Sequence, residues 1–309
     1  MKSKQKIIVI TGPTATGKSA LAVQLAGAIG GEVVSADSMQ VYKHMDIGTA
    51  KPAAAEMRGV PHHMIDVVAP WEDYSVARYV GDAAKCIDDI LTRKKIPVLA
   101  GGTGLYIDSL LAGREFSAVY DTDVRKALEA EYDELGGAAM LLKLRSFDPD
   151  RAAVLHENDK KRIVRAIEIY INSGKTISQH DLETKMLPSR YNAVVYGLMF
   201  SERSALYEKI DCRVEIMLKN GLKREVSSLI EMGVPLNSTA MQAIGYKEMV
   251  CVVRGECDMK SAAERIKMES RRYAKRQLTW LRRNVDVKWL TYKEAPDNED
   301  FIKIIQGSD

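Results

Sequence analysis

The stretch Gly12-Pro13-Thr14-Ala15-Thr16-Gly17-Lys18-Ser19 constrains this chain more than any other. Glycine, four residues and then Gly-Lys-Ser is the phosphate-loop pattern. Ahead of it, the β-branched run Ile7-Ile8-Val9-Ile10 reads as a buried strand, and behind it Leu21, Leu25 and Ala28 continue at helical spacing. A strand feeding a glycine-rich turn and then a helix points successive backbone N–H groups, and the positive end of the helix, at one anion. Gly12 to Ser19 therefore read as a phosphate-binding loop, with Lys18 neutralising phosphate charge and the Ser19 hydroxyl as a Mg²⁺ ligand. The fold class implied is α/β, a parallel sheet of the P-loop NTPase kind flanked by helices.

Ligands of open α/β sheets bind beyond the carboxyl ends of the strands. The run Glu32-Val33-Val34-Ser35-Ala36-Asp37 is expected to be such a strand, turning Asp37 toward the phosphate loop and leading into Ser38, Met39 and Gln40. Pro97-Val98-Leu99-Ala100 repeats the pattern and runs into Gly101-Gly102-Thr103-Gly104, which sets the Thr103 hydroxyl at the same edge. A tight turn needing positive φ is the alternative reading of these glycines. Residues Val76 to Leu91 have helical period, Asp46 to Pro52 is loop-like, and Pro61 to Asp66 is short and extended. Adjacent side chains on an extended segment point to opposite sides, so His62 and His63 are expected to pack or hydrogen-bond rather than share a metal.

From about 114 to 191 the strand and helix alternation stops, and helical stripes such as Val124, Leu128, Tyr132 and Ile163, Ile167, Ile171 replace it. A helical insertion dividing the core into 1–113 and 192–309 is the expected organisation. The sheet resumes at Asn192 to Phe200, and the remainder reads as mostly helix. A net charge of +3 on 309 residues is small, so a polyanionic partner has to be met by local patches. Lys160, Lys161, Arg162 and Arg165 form one; Arg265, Lys267, Arg271, Arg272, Lys275, Arg276, Arg282 and Arg283, interleaved with Tyr273 and Trp280, form another. Such a surface can track a nucleic-acid backbone and stack on bases, or be a solvated helix face. Cys86, Cys212, Cys251 and Cys257 are scattered and read as buried thiols. The short apolar run after the basic start is too brief for a signal peptide or membrane span, and a cytoplasmic protein is expected.

Taken together, these motifs resemble the tRNA dimethylallyltransferases, also called tRNA isopentenyltransferases. The resemblance is carried by Gly12 to Ser19, Ser35-Ala36-Asp37-Ser38-Met39-Gln40-Val41-Tyr42, Asp46 to Pro52, Pro61 to Asp66, Gly101 to Ile107, Asn158 to Tyr170, Ala243 to Glu248 and Tyr273 to Arg282, nearly the whole chain. It implies transfer of a dimethylallyl group from dimethylallyl diphosphate to N6 of the adenosine 3′-adjacent to the anticodon, in tRNAs reading codons that begin with U, with Mg²⁺ and release of diphosphate. It further implies that Asp37 and Thr103 act at the reacting centre. Asp37, Ser38, Met39, Gln40 and Thr103, with Lys126 or its neighbour Arg125 on the insertion, Lys126 being preferred, and Lys161, Arg162, Ile163, Val164 and Arg165, would contact the tRNA, the insertion position on its anticodon stem-loop. A monomer without membrane attachment is the expected state.

The chemistry suits the residues. An allylic diphosphate departs as diphosphate, so a phosphate loop is useful without nucleotide hydrolysis. An exocyclic amine is a weak nucleophile, and a carboxylate such as Asp37 helps by accepting its proton. A buried site also requires the target base to leave its stack. The competing readings are an adenylate dimethylallyltransferase, a P-loop small-molecule kinase and a nucleotide-gated RNA-binding module. The kinase is disfavoured because the strand Val98-Leu99-Ala100 ends in two glycines rather than an acid.

Overall fold

The computed structural model describes residues 6–113, 122–186, 189–294 and 296–307. The basic residues 1–5 and the expected start of the insertion at 114 lie outside these. The chain separates into two compact units, Met1–Leu111 with Arg190–Asp309, and Ala112–Ser189.

In chain order the first unit begins with β1 (Lys6–Thr11), α1 (Lys18–Ile29), β2 (Glu32–Ser35), α2 (Ala54–Met57), β3 (His62–His63), α3 (Val76–Thr92), β4 (Pro97–Gly101) and α4 (Gly104–Leu111). The second unit holds α5 (Thr122–Leu135), α6 (Gly137–Arg145), α7 (Pro149–Ala153), α8 (Lys160–Ser173) and α9 (Ile177–Met186). The first unit then resumes with β5 (Asn192–Phe200), α10 (Arg203–Lys219), α11 (Leu222–Glu231), α12 (Tyr246–Val253), α13 (Met259–Leu281), β6 (Lys288–Tyr292) and α14 (Asn298–Gln306). Its six strands pair in the order β3-β2-β4-β1-β5-β6, all parallel.

A parallel sheet is covered on both faces, so its central strands can be apolar without alternation. Ile7, Val9, Ile10, Val98 and Leu99 are accordingly without exposed area. The α3 helix buries Tyr79, Val80, Ala83, Ala84, Ile87 and Ile90 on one face and starts at Ser75, whose hydroxyl accepts the Arg78 N–H at 3.2 Å. Where the sequence predicts mostly helix beyond Phe200, the structure adds β6, an edge strand of five residues. Only Leu290 and Tyr292 of it are buried, too short a period-two signal to stand out beside the 23-residue α13.

The second unit packs α5 to α8 around Leu128, Met140, Leu144, Ile163, Val164 and Ile167. Glu168 is 1% exposed within it and is held by Arg125, at 2.9 Å, and Arg165, at 2.7 Å. No helix among the described residues is long and apolar enough to cross a membrane. The cysteines depart from the buried reading: Cys212 is exposed, and Cys86, Cys251 and Cys257 are part-buried. Cys257 hydrogen-bonds Cys251, which pushes its thiol up to about 11.

The amino end of the sheet is clasped by one buried carboxylate. Glu32, 2% exposed, accepts from both terminal nitrogens of Arg93, from Lys95 at 2.8 Å, and pairs with Nε2 of His63 at 2.8 Å. His62 instead bonds the Val60 carbonyl through Nδ1 at 2.8 Å. The Arg93 hydrogen bonds, foremost, hold the Glu32 carboxyl far below its ordinary 4.5. A depressed carboxyl stabilises the fold above its unfolded value and loses that contribution as pH falls. Urea midpoints of the native protein are therefore expected to fall between pH 5 and pH 3. Glu32→Gln is expected to be less stable at pH 7 but to lose less over the same interval.

Candidate active site

The phosphate loop is shaped by its own side chains and braced from two distant elements. Gly12 has φ 150° and a Cβ there would lie 2.6 Å from the Leu198 carbonyl, so only glycine fits. Ala15, at φ 66°, occupies the left-handed region without that freedom. The Thr16 hydroxyl and the Lys18 amine both donate to the Pro13 carbonyl, at 2.8 and 2.6 Å. The Tyr292 hydroxyl of β6 donates to the Thr16 carbonyl at 2.7 Å. Gln277 of α13 accepts the Thr14 N–H at 2.8 Å and donates to the Gly102 carbonyl at 2.9 Å, joining the loop to the turn after β4.

The other half of the site is the end of β2. Asp37 accepts the N–H groups of Met39 and Gln40 on Oδ1, at 2.8 and 3.4 Å, a local turn that leaves Oδ2 to take a proton or cation. Thr103 accepts the Ser38 N–H at 3.0 Å and hydrogen-bonds the Tyr273 hydroxyl, which burial, followed by the Asp37 charge, pushes up to about 12. Tyr273 thus stays a donor at neutral pH. Gln40 is buried, its amide engaged by Ser35 and by the carbonyls of Thr49 and Ala50. Its side chain holds the loop while bordering the small cavity that Lys18 and Asp37 also line.

Three cavities meet here. A small one, about 60 Å³, is bordered by Thr14, Lys18, Ser19, Asp37, Tyr273 and Gln277. One of about 410 Å³ shares Lys18 and Ser19 with it. One of about 340 Å³ shares Thr14, Asp37 and Tyr273 with it, and adds Ser38, Met39 and the apolar Ile210, Val214 and Met217. Arg213 borders all three. Burial, then the neighbouring Arg213 charge, lowers the Lys18 amine to about 7 against a smaller opposing pull from Asp37. Burial also lowers Arg213, again opposed by Asp37. The geometry sets two cations beside one carboxylate.

Arg213, Tyr273 and Gln277 are not among the residues that the motifs predict for the site. The signal for Arg213 is readable afterwards: it stands beside Ile210, Val214 and Met217 on the inward stripe of α10, where an arginine needs a reason.

The residues expected on the insertion are placed differently. Ile163 and Val164 are 0% and 3% exposed and lie in the second unit's core, so their side chains are not available to RNA. Lys161 and Arg162 are exposed, while Arg165 is tied to Glu168. Lys126, 74% exposed, meets Asp123 at 3.4 Å, whereas its neighbour Arg125 clasps Glu168 through two nitrogens. In the C-terminal basic group, Lys267 is paired with Glu215 and Glu264, and Arg271 is bidentate on Asp211. Those two are packing contacts between α13 and α10.

Comparison with known proteins decides the family. The model of the IPP transferases matches residues 40–284, and that of isopentenyl transferases matches 5–67. The chain belongs to the tRNA dimethylallyltransferase family. It is 46% identical to a tRNA dimethylallyltransferase of Acetivibrio thermocellus over 96% of this chain and 95% of that one. The figure for that of Desulforudis audaxviator is 47%, over 98% and 97%. A crystal structure of the Bacillus halodurans tRNA isopentenylpyrophosphate transferase matches with TM-score 0.73 at 40% identity, covering 98% of this chain and 96% of that one. A eukaryotic dimethylallyltransferase captured acting on tRNA matches with TM-score 0.83 at 31% identity, covering 98% and 79%.

The lowered Lys18 amine gives a prediction in a definite direction. An anion binds the protonated amine better, so above about pH 7 binding must be accompanied by proton uptake and affinity falls as pH rises. Calorimetric titration with inorganic diphosphate from pH 6.5 to 9 is expected to show this fall in the native protein. Lys18→Arg, charged throughout, is expected to lack that component, and the ratio of the two proteins cancels the ionisation of diphosphate itself. Lys18→Ala is expected to lose about 1.5–3 kcal/mol of diphosphate affinity, the usual worth of a charge-assisted contact, with an unchanged circular dichroism spectrum.

Proposed function

We propose that this protein transfers a dimethylallyl group from dimethylallyl diphosphate to N6 of the adenosine 3′-adjacent to the anticodon, in tRNAs reading codons that begin with U. The observation that carries the reading is the grouping of Lys18 and Arg213 with Asp37 around one small cavity. In this reading the loop N–H groups, Lys18 and Arg213 hold the diphosphate and take up the charge that collects on it as the allylic C–O bond breaks. The adenine N6 attacks the allylic carbon, and Oδ2 of Asp37 accepts the amine proton. Thr103 and Tyr273 position the acceptor. Diphosphate leaves.

Mg²⁺ fits the donors present. The Ser19 hydroxyl and the Asp37 carboxylate border the same small cavity, and Mg²⁺ is commonly held by one or two protein oxygens with substrate phosphates supplying others. Ser19 would hold it, and the ion would neutralise diphosphate charge. Lys126, Lys161, Arg162 and Arg165 are read as phosphate contacts of the anticodon stem-loop, with the protein acting as a cytoplasmic monomer.

Labelled dimethylallyl diphosphate offered with tRNA or with AMP tests the assignment: label is expected in tRNA, and label in AMP would make the enzyme an adenylate dimethylallyltransferase. Asp37→Asn keeps the shape but cannot take a proton, so single-turnover prenylation at saturating tRNA should fall ~10²–10⁴-fold with both substrates still bound. Recovery at high Mg²⁺ would reassign Asp37 to the metal. Charge reversal at Lys161 or Arg162 is expected to weaken tRNA binding and lower the log–log salt slope by ~0.7–0.9 per lost phosphate contact.

A further inference from the structure

The turn from Asp46 to Ala50 borders the anion cavities, yet it is neither strand nor helix and is held from outside. Glu225, in the first turn of α11, does the holding. Its Oε2 accepts the N–H groups of Asp46 and Ile47 at 2.9 and 2.8 Å, and its Oε1 accepts the Gly48 N–H at 3.1 Å and the Tyr246 hydroxyl at 2.6 Å. Those donors use the full accepting capacity of one carboxylate. Glycine is required at 48, because a Cβ would lie 2.3 Å from the Tyr246 ring.

On its other side the turn reaches the site. The Thr49 carbonyl accepts Nη2 of Arg213 at 3.3 Å and Nε2 of Gln40 at 3.4 Å. Ala50, at φ 46°, borders the two cavities that contain Lys18. A continuous path therefore runs from the Glu225 carboxylate, through three backbone N–H groups and the Thr49 carbonyl, to the guanidinium. Glu225 itself borders none of the three cavities.

We infer that Glu225 is a positioning residue for the diphosphate site, acting through the 46–50 turn on Arg213. The role holds only if Lys18 and Arg213 bind diphosphate as proposed above. Arg213 is a buried cation beside a second cation, so it favours water unless something fixes it, and the Thr49 carbonyl can fix it only while the turn is itself fixed. Burial and the Glu225 charge keep the Tyr246 hydroxyl protonated, so it remains a donor at any working pH.

The test is calorimetric binding of inorganic diphosphate to the full chain, in a cycle of Glu225→Gln and Arg213→Met titrated into the millimolar range. An amide presents NH₂ to two of the donors that now meet an oxygen, so Glu225→Gln loosens the turn. It is expected to raise the dissociation constant about tenfold in the native background but less than about twofold beside Arg213→Met, because coupled residues are not additive. Tyr246→Phe keeps the ring against Gly48 and removes one bond, and should raise the constant about two- to threefold, again only while Arg213 is present. If Glu225→Gln does not fold, Tyr246→Phe carries the same cycle. An unchanged constant, or an equal effect in both backgrounds, overturns the inference. Failure of the native protein to bind diphosphate at all overturns the anion-site reading and this role with it.

Discussion

Lys18 and Arg213 are like charges in one poorly solvated space, and much of the first unit resists the repulsion between them. Burial lowers both, Arg213 lowers Lys18 further, and the opposing charge acting on each is that of Asp37. Left to itself such a pair separates into water. Here the amine is turned back on the Pro13 carbonyl and the guanidinium on that of Thr49, while Gln277 and Tyr292 keep the loop between them from opening. In the proposed reaction an incoming diphosphate meets positive charge that is already in place, so little reorganisation accompanies the development of charge on the leaving group.

Several cations elsewhere in the chain are matched to carboxylates, which changes how much of the basic composition a polyanion can meet. Lys267 and Arg271 face α10, Arg125 and Arg165 share the buried Glu168, and Arg93 and Lys95 share Glu32. Lys275, Arg276, Arg282 and Arg283 have no carboxylate partner among the described residues and are exposed. A stripe that looks uniform in the sequence thus mixes cations that join α13 to α10 with cations turned to solvent. Spacing at 3.6 residues per turn separates them only once the α10 partner acids are known.

The α/β class was legible because parallel strands and phosphate loops leave local signals: an apolar run, two glycines and a lysine at fixed offsets. Asp37 and Thr103 were legible because both follow strands, and strand ends share one edge. Arg213, Gln277 and Glu225 were not. Each reaches the site from a helix far along the chain, Gln277 across 263 residues to Thr14 and Glu225 across 179 to Asp46. No local pattern encodes such a contact. The reverse error affected Ile163 and Val164, which stand within a basic stretch but belong by helical phase to the core of their unit. β6 was hidden by its brevity, although its Tyr292 braces the phosphate loop.

The turn after β4 shows why this phosphate loop suits departure of diphosphate rather than phosphoryl transfer. Enzymes of the latter kind place an acid near the end of a neighbouring strand to hold the metal at the transferred phosphoryl group. Here a Cβ on Gly101 would lie 2.2 Å from the Ala36 carbonyl, and one on Gly102 would lie 2.2 Å from Nε2 of Gln277. The Thr103 N–H closes the turn on Ala36 at 3.1 Å, so the end of β4 has no room for any side chain there. The carboxylate at this edge comes from the end of β2 instead, as Asp37, which borders the small cavity with Lys18 and Ser19 and the larger one with Tyr273. In the proposed reaction this carboxylate serves the acceptor. In that proposal the charge on the phosphates falls to Lys18, Arg213 and any bound cation, a division of labour that suits breaking a carbon–oxygen bond to diphosphate.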